Sequence, residues 1–263
     1  MCATCGCGDD ATTITVPGHD HIHDHPHPHD HDHPHDHAHP PTETITLEQK
    51  VLAKNDLLAE QNRAWLAERN IAAFNLTSSP GAGKTTLLER TIRELVPHRP
   101  VSVIEGDQET LLDAERIHAA GARAVQVNTG AGCHLDAAMV RRALDTLDPE
   151  PDSILFIENV GNLVCPASFD LGAHRNVTLL SVTEGDDKPA KYPVMFRAGD
   201  LTLITKVDLL PHLEDFSVDR ARDSLRQVGF VGAVLEVSKR GAGLTAWLDW
   251  LRAEVASRQA AAA

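Results

Sequence analysis

Seven short apolar runs, separated by stretches typical of helices, constrain the fold of this chain more than any other feature. Most runs are continuously apolar and rich in Val, Ile and Leu, which is typical of parallel strands buried on both faces. Strands that alternate with helices form right-handed crossovers, so the pattern predicts a doubly wound, mostly parallel α/β sheet. The predicted strands are residues 71–77, 101–107, 122–128, 153–159, 177–183, 201–208 and 233–238.

Two segments precede this predicted domain, which covers residues 71–258. Residues 1–41 hold few residues that could be buried, and ordering each residue costs roughly 1–2 kcal/mol of backbone entropy. We therefore expect a disordered, Cys/His-rich N-terminal arm. Residues 42–70 contain a predicted helix, because Thr46 and Gln49 have capping-box spacing and good helix formers follow. Its apolar side chains form roughly one stripe: Leu47, Val51, Leu58 and Trp65.

Composition limits the partners of the chain. The formal net charge of -14 argues against nucleic acid, because a phosphate backbone requires a basic surface. Neither a signal-peptide pattern nor a run of about 20 apolar residues is present, so we expect a cytoplasmic protein that does not bind membranes. Three of the five cysteines lie in MCATCGC, which predicts thiol ligands rather than disulfides.

The first predicted strand leads into SSPGAGKTT (78–86), which matches the P-loop pattern G-x-x-x-x-G-K-[ST] except at Ser78. Glycines let backbone N–H groups close around phosphates, and the following helix N-terminus favours anions. Lys84 is predicted to contact the β- and γ-phosphates, and the Thr85 hydroxyl to bind Mg²⁺. The predicted phosphate-binding residues are Gly81, Ala82, Gly83, Lys84, Thr85 and Thr86.

The last two predicted strands end in segments that resemble the guanine-binding loops of GTPases. TKVD (205–208) resembles N-K-x-D, in which Asp accepts hydrogen bonds from guanine and Lys packs over the ring. Lys206 and Asp208 fit, but Thr205 replaces Asn, and we expect its hydroxyl to keep only part of the contacts of an amide. Ser238 and Lys239 resemble the second guanine loop. GTP/GDP is favoured, and an ATP-dependent, kinase-like enzyme is the alternative.

Two acids end predicted strands where Mg²⁺ and water would be bound. Glu158 is predicted to orient Mg²⁺ through a water, and Asp107 to hold the metal or the attacking water. With Lys84 these are the predicted catalytic residues, although each acid could simply cap the helix or turn that follows. Because no arginine finger is evident, we expect slow hydrolysis, on the order of 10⁻⁴ to 10⁻² s⁻¹.

Cysteine and histidine form two compact candidate metal sites. Cys133 and His134 follow the third predicted strand and Cys165 follows the fourth, so all three can converge at one edge of a parallel sheet. Thiolates plus imidazole suit Ni²⁺ or Zn²⁺; alternatively, these are unconnected loop residues. The second site lies beside the amine of Met1, and its closely spaced thiolates suit square-planar Ni²⁺: Cys2, Cys5 and Cys7.

The tract HDHIHDHPHPHDHDHPHDHAH (19–39) alternates histidine with other residues. Most of these imidazoles would be neutral at cytosolic pH and able to bind metal. Without a preformed geometry, the tract is expected to bind several Ni²⁺ ions weakly, as a store. A tag is disfavoured, because tags usually carry consecutive histidines at a terminus. The candidate ligands are His19, His21, His23, His25, His27, His29, His31, His33, His35, His37 and His39.

These motifs together resemble the HypB-type nickel-incorporation GTPases of [NiFe]-hydrogenase maturation. The resemblance is carried by MCATCGC, SSPGAGKTTLL, VIEGDQ, VQVNTGAGCHLD, ILFIENVGNLVCPASFDLG, SVTEGDDKPAKYP and KVDLLP. It implies a P-loop GTPase that forms a homodimer promoted by GTP or metal. It also implies Ni²⁺ delivery to the hydrogenase large-subunit precursor with a HypA-like metallochaperone, and in some members with a SlyD-like prolyl isomerase.

The resemblance also implies site roles. Cys2, Cys5 and Cys7 match the high-affinity nickel motif, and Cys133, His134 and Cys165 match a Ni²⁺ or Zn²⁺ site of the GTPase domain. Because Cys165 follows Glu158 closely, hydrolysis could rearrange the metal ligands. Lys188 is expected to approach the nucleotide or the dimer partner, or to be an ordinary surface lysine. The alternatives are a nickel storage protein regulated by nucleotide, and a related GTPase for urease or cobalamin enzymes.

Overall fold

A computed structural model describes residues 13–15, 41–107, 112–130 and 132–262, and only the backbone of 13–15, 41–48, 107, 112, 261 and 262. Its strands are β1 (Thr13–Thr15), β2 (Ala72–Ser78), β3 (Val101–Asp107), β4 (Arg123–Asn128), β5 (Ile154–Glu158), β6 (Arg175–Ser181), β7 (Leu201–Thr205) and β8 (Ala233–Val237). Its helices are α1 (Pro41–Glu68), α2 (Lys84–Leu95), α3 (Leu112–Ala119), α4 (Ala137–Leu147), α5 (Lys188–Lys191), α6 (Pro193–Arg197), α7 (Val218–Gln227) and α8 (Leu244–Ala262).

The described strands form a sheet of order β1-β4-β3-β5-β2-β6-β7-β8. All neighbours from β2 to β8 are parallel, which confirms the doubly wound α/β fold, and the predicted strand bounds agree within three residues. β1 pairs antiparallel with β4 and was not predicted, because it lies in the arm for which we expected disorder. Its sequence, Thr-Ile-Thr, is entirely β-branched, which suits an edge strand.

Register brings polar residues together at the carboxyl edge of the sheet. Glu158 at the end of β5 is the register partner of Leu76 in β2 on one side and of Glu105 in β3 on the other. On the other side of β2, Ser181 of β6 pairs with Thr205 of β7. In a parallel sheet this edge is where loops carry function, so the register positions the candidate site.

Helices cover both faces of the sheet. On one face, Leu88 of α2, Ile117 of α3 and Trp247 of α8 are fully buried against the strands. On the other, Leu66 of α1 and Leu144 of α4 are buried with apolar side chains of β3, β4 and β5. A further cluster packs α6 and α7 against β6 and β7. Among the described residues, no helix is both long enough and apolar enough to cross a membrane.

Helix α1 differs from its prediction at its start and on its buried face. It begins at Pro41, a residue tolerated in a first helical turn, so Thr46 lies inside the helix rather than at its N-cap. Of the predicted stripe, Val51 is 48% exposed and Leu58 and Trp65 are half-buried. The buried positions are Asn55, Ala59, Asn62 and Leu66, because α1 packs against loop backbone as well as against apolar side chains.

Gly172 shows how closely α1 and a loop approach. Its φ is +83°, and an added Cβ would collide with the Ala59 carbonyl and lie 2.8 Å from Asn62 Cβ. We predict that Gly172→Ala lowers the free energy of unfolding by about 2–4 kcal/mol, from backbone strain plus overpacking. Gly229→Ala is the control, because its φ is +81° with nothing within 4 Å, and should cost only about 1–2 kcal/mol. If urea denaturation shows that both variants lose the same free energy of unfolding, the close approach at Gly172 is contradicted.

Candidate nucleotide and metal sites

The loop between β2 and α2 has the conformation of a phosphate-binding loop. Gly81 and Gly83 adopt left-handed φ values of 73° and 101°, which a side chain would strain. Gly83 is the N-cap of α2 and has no side chain that could accept hydrogen bonds from the N–H groups of the first turn. A bound anion could therefore approach those groups. The buried Lys84 donates to Ser78 Oγ at 3.0 Å. Ser78, which replaces the usual glycine, therefore holds the lysine across the loop.

Thr85 and Glu158 connect this loop to β5. The Thr85 hydroxyl donates to Glu158 Oε1 at 2.9 Å, and Glu158 is only 3% exposed. Burial raises the pKa of Glu158, while the nearby Lys84 ammonium partly offsets that rise. The side chain of Asp107 lies outside the described atoms, so its catalytic and metal roles stay predictions.

Glu105 is a buried acid that sequence reasoning missed. It is 2% exposed, and carboxylate oxygens of Glu105, Asp113 and Glu158 lie within 4.8 Å of one another. Oε2 of Glu105 and Oε2 of Glu158 accept no hydrogen bond from an N–H group or a hydroxyl among the described residues, and a proton shared between the two carboxyl groups is the one donor within their reach there. Burial, and then the charge of Glu158, raise the pKa of Glu105 well above its usual range. Unsatisfied buried oxygens beside the Thr85 hydroxyl suit a hard divalent cation such as Mg²⁺.

The two segments that resemble guanine loops lie together. Asp208 Oδ1 accepts a hydrogen bond from the backbone N–H of Lys239 at 2.8 Å, which joins TKVD to VSK. Thr205 Oγ1 donates to the Ala82 carbonyl at 2.7 Å. The hydroxyl that replaces the expected Asn therefore still ties this loop to the P-loop. Lys206 has φ 60°, and Ser238 is buried.

Cys133, His134 and Cys165 converge, as the parallel topology predicted. One ligand atom of each lies within 4.8 Å of the others. The two cysteines are half-buried and His134 is 7% exposed, with its ring 4.1 Å from that of Phe169. Burial lowers the pKa of His134 and so favours the neutral imidazole that binds metal. This donor set suits Ni²⁺ or Zn²⁺.

The segment after β5 touches both sites. A Cβ on Gly161 would lie 2.9 Å from Pro80 Cα in the P-loop. Next to it, Asn162 Nδ2 donates to the Cys133 carbonyl at 3.3 Å. The buried Asn159 accepts from the N–H of Leu135 at 3.2 Å. The segment after β5 therefore contacts both the P-loop and the loop that carries Cys133 and His134.

Other candidate residues are placed differently. Thr86 Oγ1 accepts from Arg116 Nη2 at 3.2 Å. Lys188 Nζ lies 3.6 Å from a Glu184 carboxylate oxygen and 5.1 Å from the centre of the Tyr192 ring. The Cys2, Cys5 and Cys7 set and the histidine tract at 19–39 lie outside the described residues.

Comparisons with known proteins identify the family of the chain. A family model described as "CobW/HypB/UreG, nucleotide-binding domain" matches residues 72–229. Hydrogenase maturation factor HypB of Azotobacter chroococcum mcd 1 is 54% identical over 215 residues, which are 81% of this chain and 70% of that protein. The chain belongs to the HypB family of hydrogenase maturation factors. HypB of Escherichia coli (strain K12) is 53% identical over 211 residues, covering 80% of this chain and 72% of that protein.

Solved HypB structures share the fold. HypB from Helicobacter pylori in complex with nickel has a TM-score of 0.72 and 36% identity, covering 78% of this chain and 96% of that one. The factor from Archaeoglobus fulgidus has a TM-score of 0.71 and 38% identity, covering 77% and 99%. The HypB resemblance and the P-loop GTPase fold expected from the sequence are therefore confirmed.

Glu105 provides a test of the acidic cluster. A carboxyl with a higher pKa in the folded than in the unfolded protein binds more protons when folded, so stability falls as pH rises above about 4. We predict that Glu105→Gln makes this fall in the free energy of unfolding smaller between pH 5 and 8. The measurement is urea denaturation without Mg²⁺ or nucleotide. Glu115→Gln, at an exposed position, should behave like the parent. An unchanged pH profile in Glu105→Gln would contradict the assignment.

Proposed function

We propose that this chain is a cytoplasmic GTPase that delivers Ni²⁺ during [NiFe]-hydrogenase maturation, with GTP hydrolysis controlling metal affinity at Cys133, His134 and Cys165. The observation that carries the proposal is the segment after β5, which contacts the P-loop through Gly161 and the metal loop through Asn162. The nickel-bound relative from Helicobacter pylori supports Ni²⁺ as the cargo. Ni²⁺ is therefore the substrate of delivery, while Zn²⁺ could occupy the same ligands.

The hydrolytic step is simple in outline. A water attacks the γ-phosphorus of GTP, the bond to the β-phosphate oxygen breaks, and GDP and phosphate leave. Lys84 would bind the β- and γ-phosphates, and Asp107 would hold the metal or the attacking water. Bound Mg²⁺ would neutralise phosphate charge, with Thr85 and Glu158 holding it. Because the sequence shows no evident arginine finger, the reaction should be slow, as suits a switch.

Guanine recognition rests on the joined loops. The carboxylate of Asp208 would accept hydrogen bonds from N1–H and N2–H of guanine, donors that adenine does not present in that arrangement. The backbone N–H of Lys239 donates to Asp208 Oδ1 at 2.8 Å, and this hydrogen bond would fix the orientation of the carboxylate toward the base. Lys206 would pack along the base, and Ser238 and Lys239 would border it.

Coupling follows from a shared segment. The γ-phosphate would be held by the P-loop beside Gly161, so its loss would free residues 159–165 to move. Asn159 and Asn162 hydrogen-bond to the loop that carries Cys133 and His134, whereas Cys165 lies on the moving segment itself. Hydrolysis would therefore change the distance between ligands on the two loops, and so the affinity for Ni²⁺.

The remaining roles concern supply and partners. Cys2, Cys5 and Cys7 would form a tight nickel site, and the histidine tract would buffer nickel. The chain would act as a homodimer, stabilised by GTP or metal. It would work with a HypA-like metallochaperone, in some settings with a SlyD-like isomerase, and its client would be the hydrogenase large-subunit precursor.

The proposal predicts different nickel affinities in the two nucleotide states. In the full chain carrying Cys2→Ser, Cys5→Ser and Cys7→Ser, Ni²⁺ affinity should differ by at least about 5-fold between GDP and a non-hydrolysable GTP analogue. The measurement is a competitive titration followed by sulfur-to-nickel charge-transfer absorbance. Asn162→Ala should reduce the difference, because it breaks the hydrogen bond to the Cys133 carbonyl.

The control for that titration is Asn70→Gly. It removes a hydrogen bond to Asp152 at the amino edge of the sheet and tolerates the φ of 54° at this position. Its two nickel affinities should match those of the parent. Equal affinities with GDP and the analogue in the parent would refute nucleotide control.

The histidine tract has a separate prediction. Replacing every histidine from 19 to 39 by Asn keeps the length and the aspartates but removes the imidazoles. The number of weakly bound nickel ions, measured by equilibrium dialysis, should fall. Hydrogenase activation at ample nickel should stay unchanged. Activation should drop only when nickel is scarce. Lost activation at ample nickel would show that the tract delivers rather than buffers.

A further inference from the structure

Helix α1 is hydrogen-bonded to both loops that carry the candidate metal ligands. The side chain of Asn55, 5% exposed, accepts from the Ala137 N–H at 2.9 Å and donates to the Asp170 carbonyl at 2.8 Å. Ala137 is three residues beyond His134, and Asp170 is five beyond Cys165. One amide therefore bridges the two metal-bearing loops.

Asn62 repeats the bridge two turns along the helix. It is fully buried, and its Nδ2 donates to the Ala137 carbonyl at 2.9 Å and to the Leu171 carbonyl at 3.2 Å. Burying an amide costs free energy unless it is hydrogen-bonded, and an apolar side chain at an ordinary helix interface carries no such cost. The two asparagines thus act as cross-links between segments of backbone.

Further contacts bring residues 169–172 close to both α1 and the candidate metal ligands. Gly172 has no space for a side chain beside Ala59, and Arg63 on α1 pairs with the Asp170 carboxylate. Phe169, adjacent to Asp170, packs its ring 4.1 Å from the ring of His134. The position of residues 169–172 against α1 therefore affects His134 as well as Cys165.

We propose that α1 is a clamp that sets the spacing between the Cys133–His134 loop and the Cys165 loop, with Asn55 and Asn62 as positioning residues of the metal site. This inference rests on the proposed metal-binding role of those loops. A metal held by ligands from two loops needs their spacing fixed, and residues that orient ligands typically change affinity by 10- to 100-fold when removed.

The test uses the full chain carrying Cys2→Ser, Cys5→Ser and Cys7→Ser. In this background, sulfur-to-nickel charge-transfer absorbance reports Cys133 and Cys165, because the histidine tract has no thiolates. Asn55→Ala and Asn62→Ala should each weaken Ni²⁺ binding by about 10- to 100-fold. Affinity for the GTP analogue should change by less than about 2-fold, because neither asparagine lies at the P-loop. Unchanged Ni²⁺ affinity would overturn the clamp.

Matched variants separate clamping from general stability. Thr91→Val removes a buried hydrogen bond, in which Thr91 Oγ1 accepts from Trp247 Nε1 at 2.8 Å on the opposite face of the sheet. It should lower the melting temperature without changing Ni²⁺ affinity, and a loss equal to that of the asparagine variants would overturn the proposal. Asn55→Asp keeps the acceptor for the Ala137 N–H but sets a second carboxylate oxygen against the Asp170 carbonyl, so it should weaken Ni²⁺ binding at least as much as Asn55→Ala.

Two further variants cover the other outcomes. Arg63→Ala removes the partly exposed ion pair between α1 and Asp170, and we expect this variant to fold. It should weaken Ni²⁺ binding by about 2- to 5-fold. If an asparagine variant does not fold, Arg63→Ala tests the clamp in its place, and an unchanged Ni²⁺ affinity of Arg63→Ala would then overturn the clamp. Cys165→Ser should greatly weaken the charge-transfer band. A band that survives it would overturn the metal assignment and the clamp together, whereas normal Asn55→Ala binding with a band lost in Cys165→Ser overturns only the clamp.

Discussion

The hydrogen bond from Thr85 to Glu158 joins the first turn of α2, directly after the P-loop, to the carboxyl end of β5. It can form because Glu158 ends β5 beside Leu76 of β2, and α2 begins directly after the P-loop. The same register brings Glu105 of β3 against Glu158. Three carboxylates and a hydroxyl are thus held together before any cation binds, at an electrostatic cost that a divalent ion would relieve.

The arrangement beyond β5 explains how a small sheet edge can serve two ligands. Gly161 lies against the P-loop and Asn162 bonds to the backbone at Cys133, so the two sites are separated by a few residues of one segment. On the far side, Asn55 and Asn62 of α1 hold the same two loops from outside the sheet. The candidate metal site is therefore bounded by the segment that we propose responds to nucleotide and by the helix that we propose holds its two loops together.

Most of the fold, and the convergence of three candidate metal ligands, could be predicted from sequence, because apolar runs reveal the strands and a parallel sheet brings their carboxyl ends to one edge. Apolar runs gave seven strands, and parallel topology placed Cys133, His134 and Cys165 at one edge. Glu105 was missed because it lies inside a strand; an acid within an apolar run was its only signal. Asn55 and Asn62 were missed because polar residues on a helix usually face solvent, and only tertiary contact with loop backbone gives them partners.

Nucleotide control of metal binding is the central claim, and thermodynamic linkage gives its most direct test. If GTP changes Ni²⁺ affinity, Ni²⁺ must change GTP affinity by the same factor. The measurement is calorimetric binding of GDP and of a GTP analogue, with and without Ni²⁺, to the full chain carrying Cys2→Ser, Cys5→Ser and Cys7→Ser. Saturating Ni²⁺ should change the ratio of the two nucleotide affinities by at least about 5-fold, and Cys165→Ser should abolish the change. A ratio that Ni²⁺ leaves unaltered would contradict the account.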